Sequence, residues 1–316
     1  LPSNECIMLT GQYLTFYQSI IDVIPEHRVI TDYFRTLTYG TDASFYRLVP
    51  KIIVKVDNES EVIETLKLAK TMSLPVCFRA SGTSLSGQAL TDSILISLSE
   101  NWKAYQVLNE GKQIKMQCGV LGSEANAALT KFNTMLAPMP ASIDAATVGG
   151  MAINNAAGMN SLDTYGMMAS ARFVLLDGSV LDTSCEQSRS ELLQTRPDLI
   201  EGLLVLSSRL KSNEKLAQRV ARKFQIKNTT GYGLRSLLDF DDPIDMLAHL
   251  MIGSEGTLGF IYEITHNTID IQPFKASAFL VFPDIKTAGI AVTRFKHNNT
   301  PVSAAELIDY FSLKAV

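Results

Sequence analysis

Cysteine is scarce in this chain and never closely spaced. Cys6, Cys77, Cys118 and Cys185 lie far apart with no C-x-x-C pair, which excludes a zinc or iron–sulfur module within these residues and leaves buried or idle thiols. Positive charge is not in excess either: 28 Lys and Arg stand against 32 Asp and Glu, a net charge of -4. Sequence-independent nucleic-acid binding therefore lacks its electrostatic footing, and any anion site must be local. No apolar run is long enough to span a membrane, and the opening LPSNECIMLT lacks the basic start and apolar middle of a signal peptide. These absences point to a cytoplasmic, reducing location, with peripheral attachment at the inner face of the cytoplasmic membrane left open. The four histidines, His27, His249, His266 and His297, show no ligand-like spacing, so no metal site is assigned. What is present is apolar content: 46% hydrophobic residues over 316, enough for a large core and more naturally for two packed units than one.

Periodicity gives a coarse layout. Residues 11–24 carry apolar groups at helical spacing and stop before Pro25. The segment TDYFRTLTYGTDASFYRLVP reads as irregular, with Tyr39, Asp42, Tyr46 and Arg47 in a surface loop that could border a substrate. IIVKV at 52–56 is a strand, Asn58 with Glu61 a capping-box-like helix start, and PVCFRA a second strand. That β-α-β order sets the following loop at a strand's carboxyl end, where α/β units commonly bind ligands. ILISL, AYQVLN and QIKMQCGV read as further strands, then a helix over about 122–134 and a hairpin turning at Asp177-Gly178. The architecture expected is α+β, not a Rossmann domain. Leu199, Leu203, Leu206, Leu210, Leu216, Val220 and Phe224 form a packing stripe over 195–225. GFIYEITHNTIDI alternates as a long strand, and ASAFLVF, a helix from Asp284 and PVSAAELID suggest an unfinished β-α-β piece. With no initiator Met, the expectation is a fragment of a longer chain.

Three blocks carry chemistry. RASGTSLSGQ, residues 79–88, combines Gly82 and Gly87, which permit sharp turns, with the hydroxyls of Ser81, Thr83, Ser84 and Ser86 and the charge of Arg79. Such a loop suits phosphate, although glycine- and serine-rich loops are usually plain connections. PMPASIDAATVGGMAINNAAG, residues 138–158, could let backbone approach a ligand at Gly149-Gly150 and aim free helix-start amides at an anion, or could be a tight small-residue contact. IGSEGTLGFI, residues 252–261, sets Glu255 and Thr257 among three glycines before a strand. Tyr232, in KNTTGYGL, reads as a core aromatic in preference to a pocket wall.

In their order and spacing, these blocks resemble the FAD-binding domain of the vanillyl-alcohol oxidase and p-cresol methylhydroxylase superfamily. YGTDASFYRLVPKIIVKV, NTTGY and GSEGTLG look most like the large bacterial respiratory D-lactate dehydrogenases. The resemblance implies a two-subdomain FAD-binding domain over 46–272, preceded by a lead-in over 1–45 and followed by the start of a truncated α+β cap domain over 273–316. It implies that Arg79, Ala80, Ser81, Gly82, Thr83, Ser84, Leu85, Gly87 and Gln88 wrap the FAD pyrophosphate. Ser142, Thr147, Gly149, Gly150, Asn155, Gly158 and Ser161 would meet its other side and the flavin, Pro140 the isoalloxazine edge, and Glu255, Gly256 and Ile261 the ribityl-adenine part. The first loop lacks the histidine that tethers flavin in some members, so FAD should be noncovalent.

The activity implied is oxidation of a D-2-hydroxy acid, D-lactate first, by hydride transfer to FAD, with electrons passing to a respiratory acceptor such as a quinone or cytochrome. Glycolate and D-2-hydroxyglutarate are alternative substrates, and an FAD-binding module without turnover is another reading. Catalytic residues and any iron–sulfur cluster would belong to a missing C-terminal part. A P-loop NTPase is disfavoured: Gly82 and Gly87 have the G-x-x-x-x-G spacing, but Gln88-Ala89 replaces the Lys-Ser/Thr that holds phosphate and magnesium.

Overall fold

The computed structural model describes residues 9–158, 162–226, 228–298 and 302–315. Its first half is built on a four-stranded sheet. Helix α1 (Gly11–Ile20) buries Phe16 and Ile20 and leads to β1 (Val29–Ile30). Next comes α2 (Tyr33–Thr38), in the segment expected to be irregular; the signal passed over was Asp32, which accepts the amide of Arg35 as an N-cap. Strand β2 (Ile52–Val56), helix α3 (Glu59–Thr71), β3 (Val76–Arg79) and β4 (Ile94–Leu98) follow. The sheet order is β1-β2-β4-β3, with β2, β4 and β3 parallel. Ile52, Ile53, Val54, Ile94, Leu95 and Ile96 are all buried, as expected for parallel strands covered on both faces. Asn58 caps α3 by accepting the Glu61 amide, while the Glu61 carboxylate takes the Asp57 amide and a two-pronged contact from Arg28 at 2.7 and 2.8 Å.

The second sheet is antiparallel. Strands β5 (Tyr105–Leu108) and β6 (Gln113–Gln117), helix α4 (Gly122–Leu129), β7 (Thr134–Leu136), α5 (Val148–Ile153), α6 (Thr164–Met167), β8 (Met168–Leu175) and β9 (Val180–Asp182) run in that order. Helix α4 ends earlier than its apolar pattern suggested, because Asn133 takes a left-handed conformation that turns the chain into β7. The β8–β9 hairpin turns at Asp177-Gly178, with Gly178 at φ 87°. Then come α7 (Glu186–Thr195), α8 (Pro197–Ser212), α9 (Glu214–Lys223), α10 (Ser236–Asp239), α11 (Pro243–Met251) and the long β10 (Gly259–Asp270). Strand β10 lies between β6 and β8 in the order β5-β6-β10-β8-β9, and β7 pairs its far end. Leu203, Leu210 and Val220 of the expected stripe are buried, but Leu206 and Leu216 are exposed; Pro197 and Asn213 break the segment into separate helices whose faces differ.

An aromatic seam joins the sheets. Phe260 of β10 meets Phe78 of β3 at 5.5 Å and Trp102 at 5.4 Å between ring centroids, and the Trp102 indole donates to the Val56 carbonyl at 2.7 Å. The arrangement is therefore α+β with two sheet units, as expected. Beyond β10 the outcome differs: helices α12 (Ile285–His297) and α13 (Tyr310–Ala315) form, but ASAFLVF and the described part of PVSAAELID are not strands. Alternation alone does not make a strand; its amides need a partner, and none of the described strands pairs with these segments.

Candidate cofactor site

Strand β3 is an edge strand and delivers residues 80–88 at its carboxyl end. Gly82 and Gly87 sit at φ 71° and 80°, where side-chain-bearing residues are strained. A Cβ on Gly82 would collide with the Arg79 guanidinium, which folds over the loop and donates to the carbonyls of Tyr39 at 3.2 Å and Thr41 at 2.8 Å. Burial pushes the Arg79 pKa down, opposed by the charge of nearby Asp42. Ser84 and Gln88 hydrogen-bond side chain to side chain, and the Ser86 amide donates to the same Gln88 oxygen at 3.2 Å. Among the described residues, the backbone amides from Ser81 to Leu85 and the hydroxyls of Ser81 and Thr83 donate to no protein acceptor. A loop of unspent donors ahead of a glycine turn is a cradle for phosphate oxygens.

The second block has the opposite character. Thr147 caps α5, its hydroxyl accepting from Gly150 at 3.2 Å. The Val148 amide donates to Val120, Gly149 to Cys118 and Met151 to Thr147. The helix start expected to offer free amides to an anion has thus already used them inside the protein. Gly149 is a packing glycine: a Cβ there would stand 2.6 Å from the Cys118 Cβ and 2.9 Å from its carbonyl oxygen. Gly150 is different, because its Cβ would meet only Ala80 and the Thr147 hydroxyl, each at 3.4 Å. Gly158 lies against the Met139–Pro140 backbone, and the Ser142 carbonyl accepts the amides of Ala145 and Ala146 in a turn. Asn155, at φ 54°, spends its side chain on Asp163 at 3.1 Å and the Tyr165 amide at 2.9 Å. Ser161 lies outside the described residues.

The third block fastens onto the second. Glu255 adopts φ 53° between Gly253 and Gly256, which are also at positive φ. Its amide donates to the Ile153 carbonyl at 2.9 Å, and its carboxylate accepts Asn154 Nδ2 at 2.8 Å. Burial raises the Glu255 pKa, partly offset by the polar side chains of Asn154 and Gln88. A Cβ on Gly256 would come 3.2 Å from Phe78. Tyr232 is 45% exposed and its hydroxyl meets Thr257 Oγ1 at 2.8 Å, so the expectation of a core aromatic fails. Its segment has no apolar periodicity to carry the ring inward, and the hydroxyl finds a partner at the surface.

A narrow crevice at the seam gathers Arg79, Ala80, Thr147, Gly149, Gly150 and Ile261. Phe78, Ile96, Leu98, Cys118, Ile153, Gly259 and Phe260 complete its walls. Sequence reading missed these, because an apolar strand residue facing a crevice looks like one facing the core. Ser81, Gly82, Thr83, Ser84, Leu85, Gly87, Gln88, Pro140, Ser142, Asn155, Gly158, Glu255 and Gly256, also expected at the site, do not line the crevice. Among the described residues no cluster of His, Cys, Asp and Glu could hold a metal ion.

Residues 50–184 match the FAD binding domain family. The chain is 29% identical to the D-2-hydroxyglutarate dehydrogenase of Haemophilus influenzae over 87% of its own length and 28% of that protein's. It is 27% identical to the D-lactate dehydrogenase of Archaeoglobus fulgidus, over 80% and 46% respectively. The chain thus spans about a quarter to a half of these relatives. Among solved structures, an alkyldihydroxyacetonephosphate synthase shares the fold, with a TM-score of 0.59 at 17% identity over 94% of this chain and 49% of that one. The parallel β-α-β unit, its glycine-turned loop and most of the antiparallel second sheet lie in residues 50–184, which form an FAD-binding domain similar to that of the p-cresol methylhydroxylase type.

Proposed function

We propose that this chain is the flavin-binding part of a dehydrogenase that oxidises a D-2-hydroxy acid. The observation that carries the reading is a contrast at the end of β3: the amides from Ser81 to Leu85 and the hydroxyls of Ser81 and Thr83 have no protein acceptor among the described residues, while the crevice that begins at Arg79 and Ala80 has largely apolar walls. Donors beside an apolar crevice suit a ligand with a phosphate-bearing middle and flat apolar ends, which FAD has. The amides from Ser81 to Leu85 and the hydroxyls of Ser81 and Thr83 would hold its pyrophosphate, with Gly82 allowing close approach. Gly150 and Ala80 would set the width of the cleft, and Ile261 and Phe260 would pack against an apolar ring. When bound, FAD supplies the hydride-accepting chemistry, while the protein supplies orientation and exclusion of water. The loop contains no histidine, in keeping with a noncovalent cofactor.

For the substrate we put D-2-hydroxyglutarate first, since several dehydrogenases of that name match at 29–31% identity over most of this chain. D-lactate is the second reading, on the 27% match and on the motif likeness described above. Glycolate comes third, through a glycolate oxidase subunit 25% identical. Electrons would then leave toward a respiratory acceptor. No helix among the described residues is long and apolar enough to cross a membrane. The test is anaerobic titration of the full-length protein with each acid while following the flavin absorbance. Bleaching by D-2-hydroxyglutarate alone supports the first reading and bleaching by D-lactate alone the second. A protein that takes up no FAD would overturn both.

A further inference from the structure

Loop 80–88 leaves the amides from Ser81 to Leu85 without protein acceptors among the described residues, so contacts of other kinds must hold its shape. Three of them come from residues 39–48, a short strap that follows α2. The strap is closed on itself: Thr41 pairs with Arg47 as an antiparallel bridge, the Leu48 amide donates to the Gly40 carbonyl at 3.2 Å, and the Ser44 amide to Asp42 Oδ1 at 2.8 Å. At the foot of the loop, Arg79 Nη1 donates to the Tyr39 and Thr41 carbonyls at 3.2 and 2.8 Å, which lays the guanidinium over Gly82. Next, the Ala43 amide donates to the Gly82 carbonyl at 3.1 Å. At the far end, the Tyr46 ring lies against Gly87, where a Cβ would stand 3.0 Å from Tyr46 Cδ2. Gly82 and Gly87 are the two turning points of the loop, at φ 71° and 80°, and the strap bears on both. Each tie uses a carbonyl, a ring or the guanidinium, so none consumes a loop amide. The strap lies ahead of the span that matches the FAD binding domain, which begins at residue 50.

We propose that Tyr46 and Arg79 are positioning residues, which clamp strap 39–48 onto loop 80–88 and so hold its free amides in the arrangement that receives a pyrophosphate. Such preorganisation spares a ligand the cost of ordering the loop. That the pyrophosphate belongs to FAD rests on the reading above; the clamp itself does not.

The experiment uses flavin-free full-length protein and reads amide hydrogen exchange at Ala43 and Leu48, with the amides of β4 as reference. In Tyr46→Ala and in Arg79→Met, exchange at Ala43 should rise about tenfold while β4 stays unchanged, since only a local opening becomes easier. Tyr46→Phe keeps the ring and should behave as wild type, because the ring and not the hydroxyl makes the contact. No phosphate is present in this measurement, so any attraction between the Arg79 charge and a ligand does not enter it. Saturating FAD should then slow exchange at Ala43 in the wild type about tenfold, because strap closure and binding are linked and linkage is reciprocal. Inorganic pyrophosphate is the second probe. In the double variant Ala43→Pro/Tyr46→Ala, which loses the strap's amide donor and its ring, FAD affinity by flavin fluorescence quenching should fall about tenfold as the closed fraction drops. Unchanged exchange in both Tyr46→Ala and Arg79→Met, a Tyr46→Phe variant as open as Tyr46→Ala, a rise that spreads through β4, or wild-type exchange that neither FAD nor pyrophosphate slows would each overturn the clamp. If the double variant does not fold, the single variants and the protection by ligand carry the test. A wild-type protein whose Ala43 exchange is slowed by pyrophosphate but not by FAD would sink the cofactor assignment and leave the clamp standing.

Discussion

Two glycine-rich segments beside the crevice, one leaving it at Ala80 and the other lining it at Thr147, Gly149 and Gly150, use their backbone in opposite ways. Residues 81–85, after a parallel edge strand, leave their amides without protein partners among the described residues, whereas residues 147–151, in the antiparallel half, donate theirs to Val120, Cys118 and Thr147. One wall keeps donors available and the other is rigid. Similar composition thus serves two purposes, and the difference lies in where the hydrogen bonds go.

The largest break of this contrast should come from Gly149→Val. With Cys118 backbone 2.9 Å from the new Cβ, the rigid wall cannot accommodate it, and denaturant unfolding should show a loss of about 3 kcal/mol or more. Several buried side-chain groups of the antiparallel half, Arg235 Nε, Ser236 Oγ, Ser254 Oγ and the His266 ring among them, depart from this rule of spent donors. His266 on β10 is buried, and neither ring nitrogen has a partner among the described residues. Burial lowers its pKa from 6.5 to about 4. The unfolded chain therefore binds a proton that the folded one refuses, so stability is full above about pH 6.5 and falls as pH drops toward 4, by about 3 kcal/mol at 1.4 kcal/mol per pKa unit. Denaturation midpoints across that range should show the slope, and His266→Leu should remove it.

Gly150→Ala sharpens the contrast at a smaller scale. Its Cβ would make only ordinary contacts with Ala80 and Thr147, so folding stability should stay within about 1 kcal/mol of wild type. Because the methyl group narrows the crevice, FAD affinity should fall by about tenfold, or 1.4 kcal/mol. Equal effects of Gly149→Val and Gly150→Ala on unfolding would erase the distinction between the walls. The smallest effect belongs to Thr83→Ala, whose hydroxyl has no protein partner among the described residues. Stability should not change, while FAD affinity falls about fivefold, the net worth of one ordinary hydrogen bond of about 1 kcal/mol. Fluorescence titration measures both affinities.

Several elements were legible because a local signal sufficed. IIVKV and ILISL announced strands, Asn58 and Glu61 a helix start, and Asp177-Gly178 a hairpin. The short α2 was missed because Asp32 was not read as a cap, and ASAFLVF was over-read because alternation was taken for pairing. At the site, the glycines were conspicuous but their reasons were not. Gly149 and Gly150 are neighbours of identical type, and only the approach of Cys118 to one and Ala80 to the other separates them. The apolar wall of Phe78, Ile96 and Phe260 had no signal at all, since facing a crevice leaves no mark on a strand's pattern.

By itself the sequence determined the α+β class, the order of the three glycine-rich blocks and the absence of a Lys-Ser/Thr pair after Gly87, because composition, period and turn chemistry act over a few residues. Only the tertiary structure decided which amides remain free, which glycine is packed and which faces the crevice, and that Asn154 and Glu255 meet. Those facts depend on contacts between residues many positions apart, and hydrogen-bond accounting closes only once both partners have a place in space.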